Sequence, residues 1–440
     1  MPGSLADLRA GRLAGSRRLD LSCGLTEFPR EIFTLADSLE VLDLSGNRLA
    51  TLPNDLGRLH RLRVLFCSDN QFAQLPPALG ECPALEMIGF KANRIRSVPA
   101  AALPPQLRWL ILTDNAIDAL PEALGRCTRL RKLMLAGNRL RHLPATLAGC
   151  SRLELLRISA NCFERLPEWL LGLPRLAWLA FGGNPMTMMA ETAALAASTP
   201  RVPWDRLVLG GQLGEGASGA IHEALWRDGA GTQTVAVKLF KGAVTSDGWP
   251  RSEMAACLAA GAHPNLIALR GRIEGHPEGM DGLVLERIAA GYRKLADPPS
   301  LASCTRDVYA EDLRMPVASA LRLARGIASA ARQLHARGIV HGDLYAHNML
   351  SGADGSAFLG DFGAASFIPS APQAVAGALQ RIEVRAFGCL LEELTARCET
   401  DAGDTPSARL MTDLARRCLQ PELAQRPLFD QIVQTLAAAR

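Results

Sequence analysis

The chain has 440 residues, a net charge of +4 and a hydrophobic fraction of 48%. This length allows two or three domains, and the composition is typical of globular protein rather than of a disordered chain. A nearly neutral charge without a dense basic run argues against a dedicated nucleic-acid-binding protein.

The cellular compartment is inferred from cysteine usage and from hydropathy. The sequence has no run of 18 apolar residues and no apolar core of a secretion signal at its N-terminus, so we expect neither a membrane span nor a leader. The eleven cysteines are scattered without a Cys-x-x-Cys pair, which favours buried free thiols over disulfides or a metal site. Together these features predict a cytoplasmic protein.

A repeated segment occupies residues 19–190. The sequence Leu42-Asp43-Leu44-Ser45-Gly46-Asn47, followed by Leu52-Pro53, recurs with a period of 23 residues and one step of 22. Leucines two positions apart point to the same side of a short strand, and the asparagine amide can bond the backbone of the adjacent coil. One coil buries too little surface to be stable alone, so neighbouring coils must stack. The repeated asparagines are Asn47, Asn70, Asn93, Asn115, Asn138, Asn161 and Asn184.

This pattern resembles the leucine-rich repeat family, and the resemblance implies a solenoid. In residues 1–18, Ser4, Leu5, Leu8 and Leu13 predict a short amphipathic helix that caps its open edge. Large apolar side chains alternate with the core leucines on the concave face, where such a patch commonly marks an interaction surface. Two interpretations stay open: a protein partner binds this face, or the face packs against a second domain of the chain. The concave-face positions are Val41, Asp43, Phe66, Met87, Lys91, Trp109, Ile111, Met134, Arg157 and Trp178.

The repeats end after Asn184-Pro185, and the segment 191–203 is rich in small and polar residues. This composition predicts a short helix and a linker, and a second domain then occupies residues 204–440. The linker is too short and too polar to cross a membrane.

Two segments early in the second domain have the residue types that bind phosphate. An apolar strand leads into Gly214, Gly216 and Gly219, whose lack of side chains lets backbone amides approach phosphate oxygens. A later apolar strand, Val235-Ala236-Val237-Lys238, ends in one of only five lysines in the chain. Glu253 lies on the next predicted helix.

Further along, three oxygen-bearing side chains occur at a spacing that phosphoryl transfer can use. They lie in the stretch from His341 to Asn348 and in Asp361-Phe362-Gly363. Asp343 is a candidate to accept the proton of an attacking hydroxyl, while Asn348 and Asp361 are candidates to hold magnesium ions.

These segments together resemble protein kinases, and the resemblance covers residues 204–440. It implies a two-lobed α+β fold that binds ATP and Mg²⁺, with Lys238 on the α- and β-phosphates and Glu253 as its ion partner. The predicted fold class is therefore α/β, with a leucine-rich repeat solenoid followed by a two-lobed α+β protein kinase fold.

The same resemblance implies an adenine site. Leu285 would guard the back of the pocket, and backbone groups near Glu286 and Ile288 would bond the base. Ile221 and Ala236, on the strands that cover the nucleotide, complete the expected lining.

Several positions depart from the kinase pattern. Gly342 stands where most members carry an Arg that binds a phosphorylated activation loop, so we expect no control by loop phosphorylation. Tyr345 stands where many members carry Lys, and His347 two residues later is either a donor to the γ-phosphate or a packed loop residue. Only 22 residues separate Asp361 from Glu383, so the usual docking segment for peptide substrates is short.

These observations favour a protein kinase that transfers the γ-phosphate of ATP to a protein hydroxyl, with the repeats as the docking surface. Ser/Thr is favoured over Tyr as the acceptor, without being resolved. The alternative is a nucleotide-binding pseudokinase scaffold whose repeats mediate protein interaction. Because Lys238, Glu253, Asp343, Asn348 and Asp361 are all present, the active enzyme is the better interpretation.

Overall fold

The computed structural model of the protein describes residues 4–229, 231–370, 373–399 and 405–438. Its residues form two compact units, Met1–Arg175 and Leu176–Arg440. The division lies 15 residues before the predicted domain border at residue 190, because the last repeat packs with the second unit. Parts of the predicted short segments after Asp361 and before Pro406, namely residues 371–372 and 400–404, lie outside the described residues.

The first unit is a stack of parallel strands, one for each repeat. Helix α1 (Leu5–Arg9) precedes them, as predicted, and the Ser4 side chain caps it by accepting a hydrogen bond from the Asp7 amide. Neighbouring strands pair in parallel register, so Leu42 lies opposite Leu65 and Leu65 opposite Ile88. The strands are β1 (Arg18–Asp20), β2 (Val41–Asp43), β3 (Val64–Phe66), β4 (Met87–Gly89), β5 (Trp109–Ile111), β6 (Lys132–Met134) and β7 (Leu155–Arg157).

Short 3₁₀ helices form the opposite side of each coil, after the repeated prolines. The strand leucines between the two sides are fully buried. The stacking that the repeat period requires is therefore present. These helices span Arg30–Leu35, Leu56–Arg58, Pro77–Glu81, Ala100–Ala102, Glu122–Arg126, Ala145–Gly149 and Glu168–Gly172.

The repeated asparagines form the predicted ladder between coils. The side-chain amide of Asn138 donates to the carbonyl oxygens of Leu112 and Leu135 at 2.9 and 3.0 Å. Its side-chain oxygen accepts from the Ile117 amide at 3.0 Å. Leu112 and Ile117 belong to the preceding coil, and the six asparagines from Asn47 to Asn161 each join two coils in this way while satisfying buried backbone groups.

The second unit begins with the last repeat. Strand β8 (Trp178–Ala180) is followed by helix α2 (Pro185–Ala196) and strand β9 (Arg201–Pro203). The segment predicted as helix and linker, residues 191–203, therefore contains the second half of α2 and all of β9. Hydrogen bonding of β9 to a strand of the following sheet explains why this stretch is ordered despite its composition.

A six-stranded sheet forms the first lobe. Besides β9 it contains β10 (Leu207–Glu215), β11 (Gly219–Asp228), β12 (Gly231–Phe240), β13 (Leu269–Glu274) and β14 (Gly282–Glu286). The strands pair in the order β10-β11-β12-β14-β13-β9. Helix α3 (Pro250–Ala260) packs with this sheet. The core of the sheet is built by β-branched and other apolar residues such as Val202, Val237 and Val284.

The second lobe is mainly helical and carries two small sheets, one of three strands and one of two. It contains β15 (Arg293–Lys294), α4 (Val317–Ala336), β16 (Ile339–Val340), β17 (Met349–Ser351), β18 (Ala357–Leu359), β19 (Ser366–Phe367), α5 (Gln373–Thr395), α6 (Pro406–Cys418) and α7 (Phe429–Ala437). Strands β17 and β18 form the predicted hairpin, and β16 pairs with β19. Within the described residues, no helix is long and apolar enough to cross a membrane. A solenoid followed by a two-lobed fold confirms the predicted fold class.

Candidate active site

Lys238 and Glu253 form a buried ion pair between the sheet and a helix. Lys238 lies on β12, between Ile221 of β11 and Leu283 of β14, and Glu253 lies in the first turn of α3. Burial would lower the pKa of Lys238, but the charges of Glu253 and Asp361 outweigh it and raise this pKa. Burial also raises the pKa of Glu253, and the ammonium opposes that effect. We take the pair as charged, because the ammonium of Lys238 and the carboxylate of Glu253 are in direct contact.

Asp343 and Asn348 are joined in the loop that precedes β17. The Asn348 side-chain amide donates to the Asp343 carboxylate at 2.7 Å and to the Asp343 backbone carbonyl at 3.0 Å. The carboxylate is thereby held in one orientation and can still accept a proton from a neighbouring hydroxyl.

Backbone contacts bring Asp361 to the same place. The Gly360 amide donates to the Asn348 carbonyl at 2.9 Å, and the His341 ring bonds the Gly360 carbonyl at 2.9 Å. Asp361 has a left-handed φ of 51°, and its carboxylate accepts from the Gly363 amide at 3.1 Å. A non-glycine residue in this region is strained, and such strain concentrates at functional sites.

The side-chain oxygens of Asp361 and Asn348 fit a magnesium ion that takes its other ligands from phosphate oxygens and waters. Among the residues that the structure describes, no group of three or more His, Cys, Asp or Glu side chains could form a complete metal site. One carboxylate from Asp361 and one amide oxygen from Asn348 are few ligands, and Mg²⁺ commonly takes the rest from waters and substrate phosphates.

Gly214, Gly216 and Gly219 are glycines for different reasons. The Gly216 amide donates to the Gly219 carbonyl at 2.9 Å, which closes the turn between β10 and β11. Added Cβ atoms at Gly214 and Gly216 would meet no atom within 4 Å, so this backbone is open to a ligand. An added Cβ at Gly219 would lie 2.2 Å from the Leu239 carbonyl, so this glycine is required by strand packing. That requirement is independent of the predicted phosphate role.

The predicted adenine residues lie where β14 ends. Leu285 pairs with Ala236 across β14 and β12. The Glu286 amide donates to the Ala268 carbonyl at 2.8 Å, and the Ile288 carbonyl accepts from the Arg287 side chain at 2.6 Å. The Glu286 amide and the Ile288 carbonyl are thus bonded within the protein. Fewer backbone groups near these residues remain to bond an adenine base.

His347 is held beside the proposed base by an aspartate that sequence reasoning missed. Its Nδ1 lies 2.7 Å from Asp307 Oδ1, and its Nε2 lies 4.0 Å from Asp343 Oδ2. Burial would lower the pKa of His347, but the hydrogen bond to Asp307 and the charges of Asp343 and Asp361 raise it. Asp307 precedes His347 by 40 residues and belongs to no motif, so only the fold could reveal this pair.

Tyr345 has a packing role rather than a phosphate-binding one. Its ring stacks on Trp178 with centroids 4.2 Å apart and planes 6° apart, and its hydroxyl donates to the Thr305 carbonyl at 3.1 Å. Trp178, which was predicted among the concave-face positions, is thus engaged within the second unit. For this residue the interpretation of packing inside the chain is confirmed.

Glycine is the only residue type that fits at position 342. Its φ is +72°, and an added Cβ would lie 2.5 Å from the Ala364 carbonyl oxygen and 2.8 Å from that of Leu179. Its amide donates to the Glu383 carboxylate at 2.6 Å, and the other oxygen of that carboxylate bonds His335 at 2.7 Å. There is no room for the Arg that many kinases carry here.

Comparisons with known proteins agree with this architecture. A family model described as protein tyrosine and serine/threonine kinase matches residues 207–389. Leucine-rich repeat models match residues 37–80 and 128–186.

Three relatives are similar over 42–53% of this chain. Putative cyclin-dependent kinase F-2 of Oryza sativa subsp. japonica is 32% identical over 42% of this chain and 61% of that protein. Tyrosine-protein kinase receptor TYRO3 of Gallus gallus is 24% identical over 53% of this chain and 31% of the receptor. Serine/threonine-protein kinase PkaA of Streptomyces coelicolor is 28% identical over 51% of this chain and 45% of that enzyme. The chain thus spans less than two thirds of each relative. Its first part matches leucine-rich repeat models and its second part matches a protein tyrosine and serine/threonine kinase model, which together are the architecture of a leucine-rich repeat kinase.

Proposed function

We propose that the protein is a kinase that transfers the γ-phosphate of ATP to a hydroxyl of a protein substrate. The observation that carries this proposal is that the Lys238–Glu253 pair and the Asp343–Asn348 pair are both formed in one structure, with Asp361 beside them. In this family both the ion pair and the aspartate that holds the metal must be in place for transfer.

Each residue has one role in the proposed reaction. Lys238 binds the α- and β-phosphates as a positive charge that Glu253 holds in position. Asp343 orients the attacking hydroxyl and accepts its proton. Asn348 and Asp361 would hold Mg²⁺, which neutralises the charge of the phosphates when it is bound.

His347 is a further candidate donor near the attacking group. Because Asp307 fixes one ring nitrogen, the other nitrogen is held toward Asp343. A donor at this place can stabilise the negative charge that develops on the transferred phosphoryl group. This arrangement supports the first of the two interpretations of His347, in which it acts on the phosphate.

The pseudokinase alternative is less well supported. A scaffold that only binds nucleotide does not need a carboxylate held ready for an attacking hydroxyl. The Asn348 side chain orients the Asp343 carboxylate, which only the transfer step uses.

We further propose that the repeats bind a protein partner or substrate through the concave face and that the protein acts in the cytoplasm. Phe66, Trp109, Ile111 and Met134 are partly exposed, and Lys132 lies 4.2 Å from the centre of the Trp109 ring. Aromatic groups of this kind are frequent anchors in protein interfaces. All eleven cysteines are free, which suits a reducing compartment.

The test is phosphate incorporation from γ-labelled ATP with Mg²⁺ into the protein itself and into a generic protein substrate. Asp343→Ala and Asp361→Ala should lower incorporation by about 10³-fold or more, because the base and the metal-holding group each act on the transition state. Asp118→Ala, an exposed residue of the repeats, is the control. A wild-type protein without incorporation, or variants as active as the wild type, would contradict the proposal. The phosphoamino acid that forms identifies the acceptor.

A further inference from the structure

We infer that the last repeat, residues 176–196, is a positioning element of the kinase site and does the work that loop phosphorylation does in other kinases. The effect on catalysis depends on the proposed function. The structural part of the inference depends on three contacts within the second unit. Each contact reaches a different part of the site.

The first contact holds the loop that carries Asp343. Trp178 is 2% exposed, stacks on Tyr345, and donates from its indole nitrogen to the Leu344 carbonyl at 3.3 Å. Leu344 and Tyr345 directly follow Asp343. The stack on Tyr345 and the hydrogen bond to Leu344 therefore fix the position of the backbone next to Asp343.

The second contact holds the segment that follows Asp361. The Phe181 amide donates to the Ser366 hydroxyl at 2.9 Å, and Gly182 packs so closely that an added Cβ would lie 3.0 Å from the Ala365 carbonyl. Phe181 and Gly182 directly follow β8, so the chain at the end of β8 fixes the backbone of Ala365 and the side chain of Ser366.

The third contact holds helix α3 and with it Glu253. The Glu191 carboxylate accepts from the Ser252 hydroxyl at 2.8 Å, through the oxygen that does not bond α2. Its other oxygen accepts from the Gly183 amide and the Thr187 hydroxyl, both at 2.7 Å. Ser252 is 6% exposed and directly precedes Glu253. The carboxylate therefore ties α2 to the residue beside the ion pair.

These three parts are the ones that kinases must align before transfer. In the family, phosphorylation of the activation loop and movement of the helix that carries the glutamate control the ion pair and the metal-holding aspartate. Here Gly342 has no side chain that could bind a phosphate, and the carbonyl oxygen of Leu179 in β8 lies close to where the Cβ of a larger residue would begin. The last repeat, a part of the same chain, thus aligns the site. We therefore expect full activity without phosphorylation.

The decisive variants remove single contacts from the full-length protein. Glu191→Ala and Ser252→Ala break the tie to α3, and Trp178→Ala breaks the tie to the catalytic loop. Glu191→Gln keeps an acceptor oxygen and offers an amide to Ser252, so it should rescue most of the loss. Met189→Ala, on the same helix and 87% exposed, is the matched control. Thermal unfolding shows which variants remain folded at the assay temperature, and Ser252→Ala is the mildest of them.

Two readouts are combined. We expect Glu191→Ala, Ser252→Ala and Trp178→Ala to lower kcat by about tenfold to a hundredfold, since small misplacements of catalytic groups have effects of this size. Hydrogen exchange should become faster in residues 250–256 for the first two variants and in residues 343–348 for the third. Met189→Ala should change neither readout.

Exchange rates and kcat equal to those of Met189→Ala would overturn the inference. So would a loss of kcat with unchanged exchange, because the residues would then not act through position. Restoration of a variant's kcat by treatment with an activating kinase, together with wild-type protein that needs such treatment, would also overturn it. If the wild type transfers no phosphate, the proposed function fails, while the exchange data still decide whether the last repeat positions the loops.

Discussion

Gly342 lies against the backbone of Leu179, and a Cβ atom built on this glycine would come within 2.8 Å of the Leu179 carbonyl oxygen. The glycine also has a φ of +72°, which side chains other than glycine adopt only with strain. Backbone conformation and close packing therefore both require glycine here. From the sequence alone, the same position looks as if a functional arginine had been lost. The substitution is a structural requirement of packing β8 against the catalytic loop.

Gly342→Ala should destabilise the protein by about 2–4 kcal/mol, as the sum of left-handed backbone strain and overpacking. Gly342→Arg should be at least as severe. Gly338→Ala is the matched control, because Gly338 has a φ of +68° but its added Cβ would meet no atom within 4 Å. Chemical denaturation measures the free energy of unfolding. If the two alanine variants lose the same amount, the contact with Leu179 is not the cause.

His347→Ala should lower kcat by about tenfold to a hundredfold while changing KM for ATP little, because the lost donor acts on the transferred phosphoryl group. Asp307→Ala should weaken activity in the same direction, since it removes the acceptor that holds the ring. His347→Arg should retain part of the activity because it keeps a positive charge. His142→Ala, an exposed histidine of the repeats, serves as the control. Equal kcat for His347→Ala and the control would assign His347 to packing alone.

Glu383→Gln should destabilise the protein by about 2–3 kcal/mol near neutral pH, because hydrogen bonds to a buried charge are lost. Burial would raise the pKa of Glu383, but the hydrogen bond from His335 and the charges of His335 and His341 outweigh it and lower the pKa. A lowered folded pKa means that the stabilisation is complete above the ordinary value of 4.5 and disappears as the pH falls through the folded value.

The measurement for Glu383 is thermal unfolding of wild type and variant between neutral and acidic pH. The difference between the two unfolding temperatures should be largest near neutral pH and should shrink below about pH 4.5. Glu422→Gln, at an exposed position, should show no such pattern. A difference that is independent of pH would contradict the role of the charge.

Asn138→Ala should destabilise the repeat unit by about 2–4 kcal/mol, because three buried backbone groups of two coils lose their partner. The neighbouring exposed residue in Arg139→Ala should change stability by less than about 0.5 kcal/mol. Circular dichroism during urea unfolding compares the two. Equal midpoints would show that water replaces the asparagine in the ladder.

The repeat region and the identity of the site residues could be predicted from the sequence because both depend on short-range patterns. The 23-residue period places one leucine pair on each strand, and parallel register follows from it, as Leu42 opposite Leu65 shows. Lys238 and Glu253 are 15 residues apart and meet because a strand and the next helix pack together, which is a local arrangement. The Asp343–Asn348 pair spans five residues.

The contacts that explain the unusual positions could not be predicted because they join distant parts of the chain. Asp307 reaches His347 across 40 residues, and Trp178 reaches Leu344 across 166. No periodicity relates such residues, and each pair meets only when elements that are distant in the chain pack together. The fold thereby changes the interpretation of Tyr345 from a lost phosphate ligand to half of an aromatic stack.

The sequence by itself determined a leucine-rich solenoid, a kinase-like fold and the residue types of a phosphoryl-transfer site, since periodic apolar residues and closely spaced polar ones encode these features locally. The tertiary structure alone decided that the last repeat belongs with the second unit and why Gly342 is a glycine. The reason is physical: close approach of two backbones, at Leu179 and Gly342, depends on the packing of whole elements and leaves no mark in the sequence except a missing side chain.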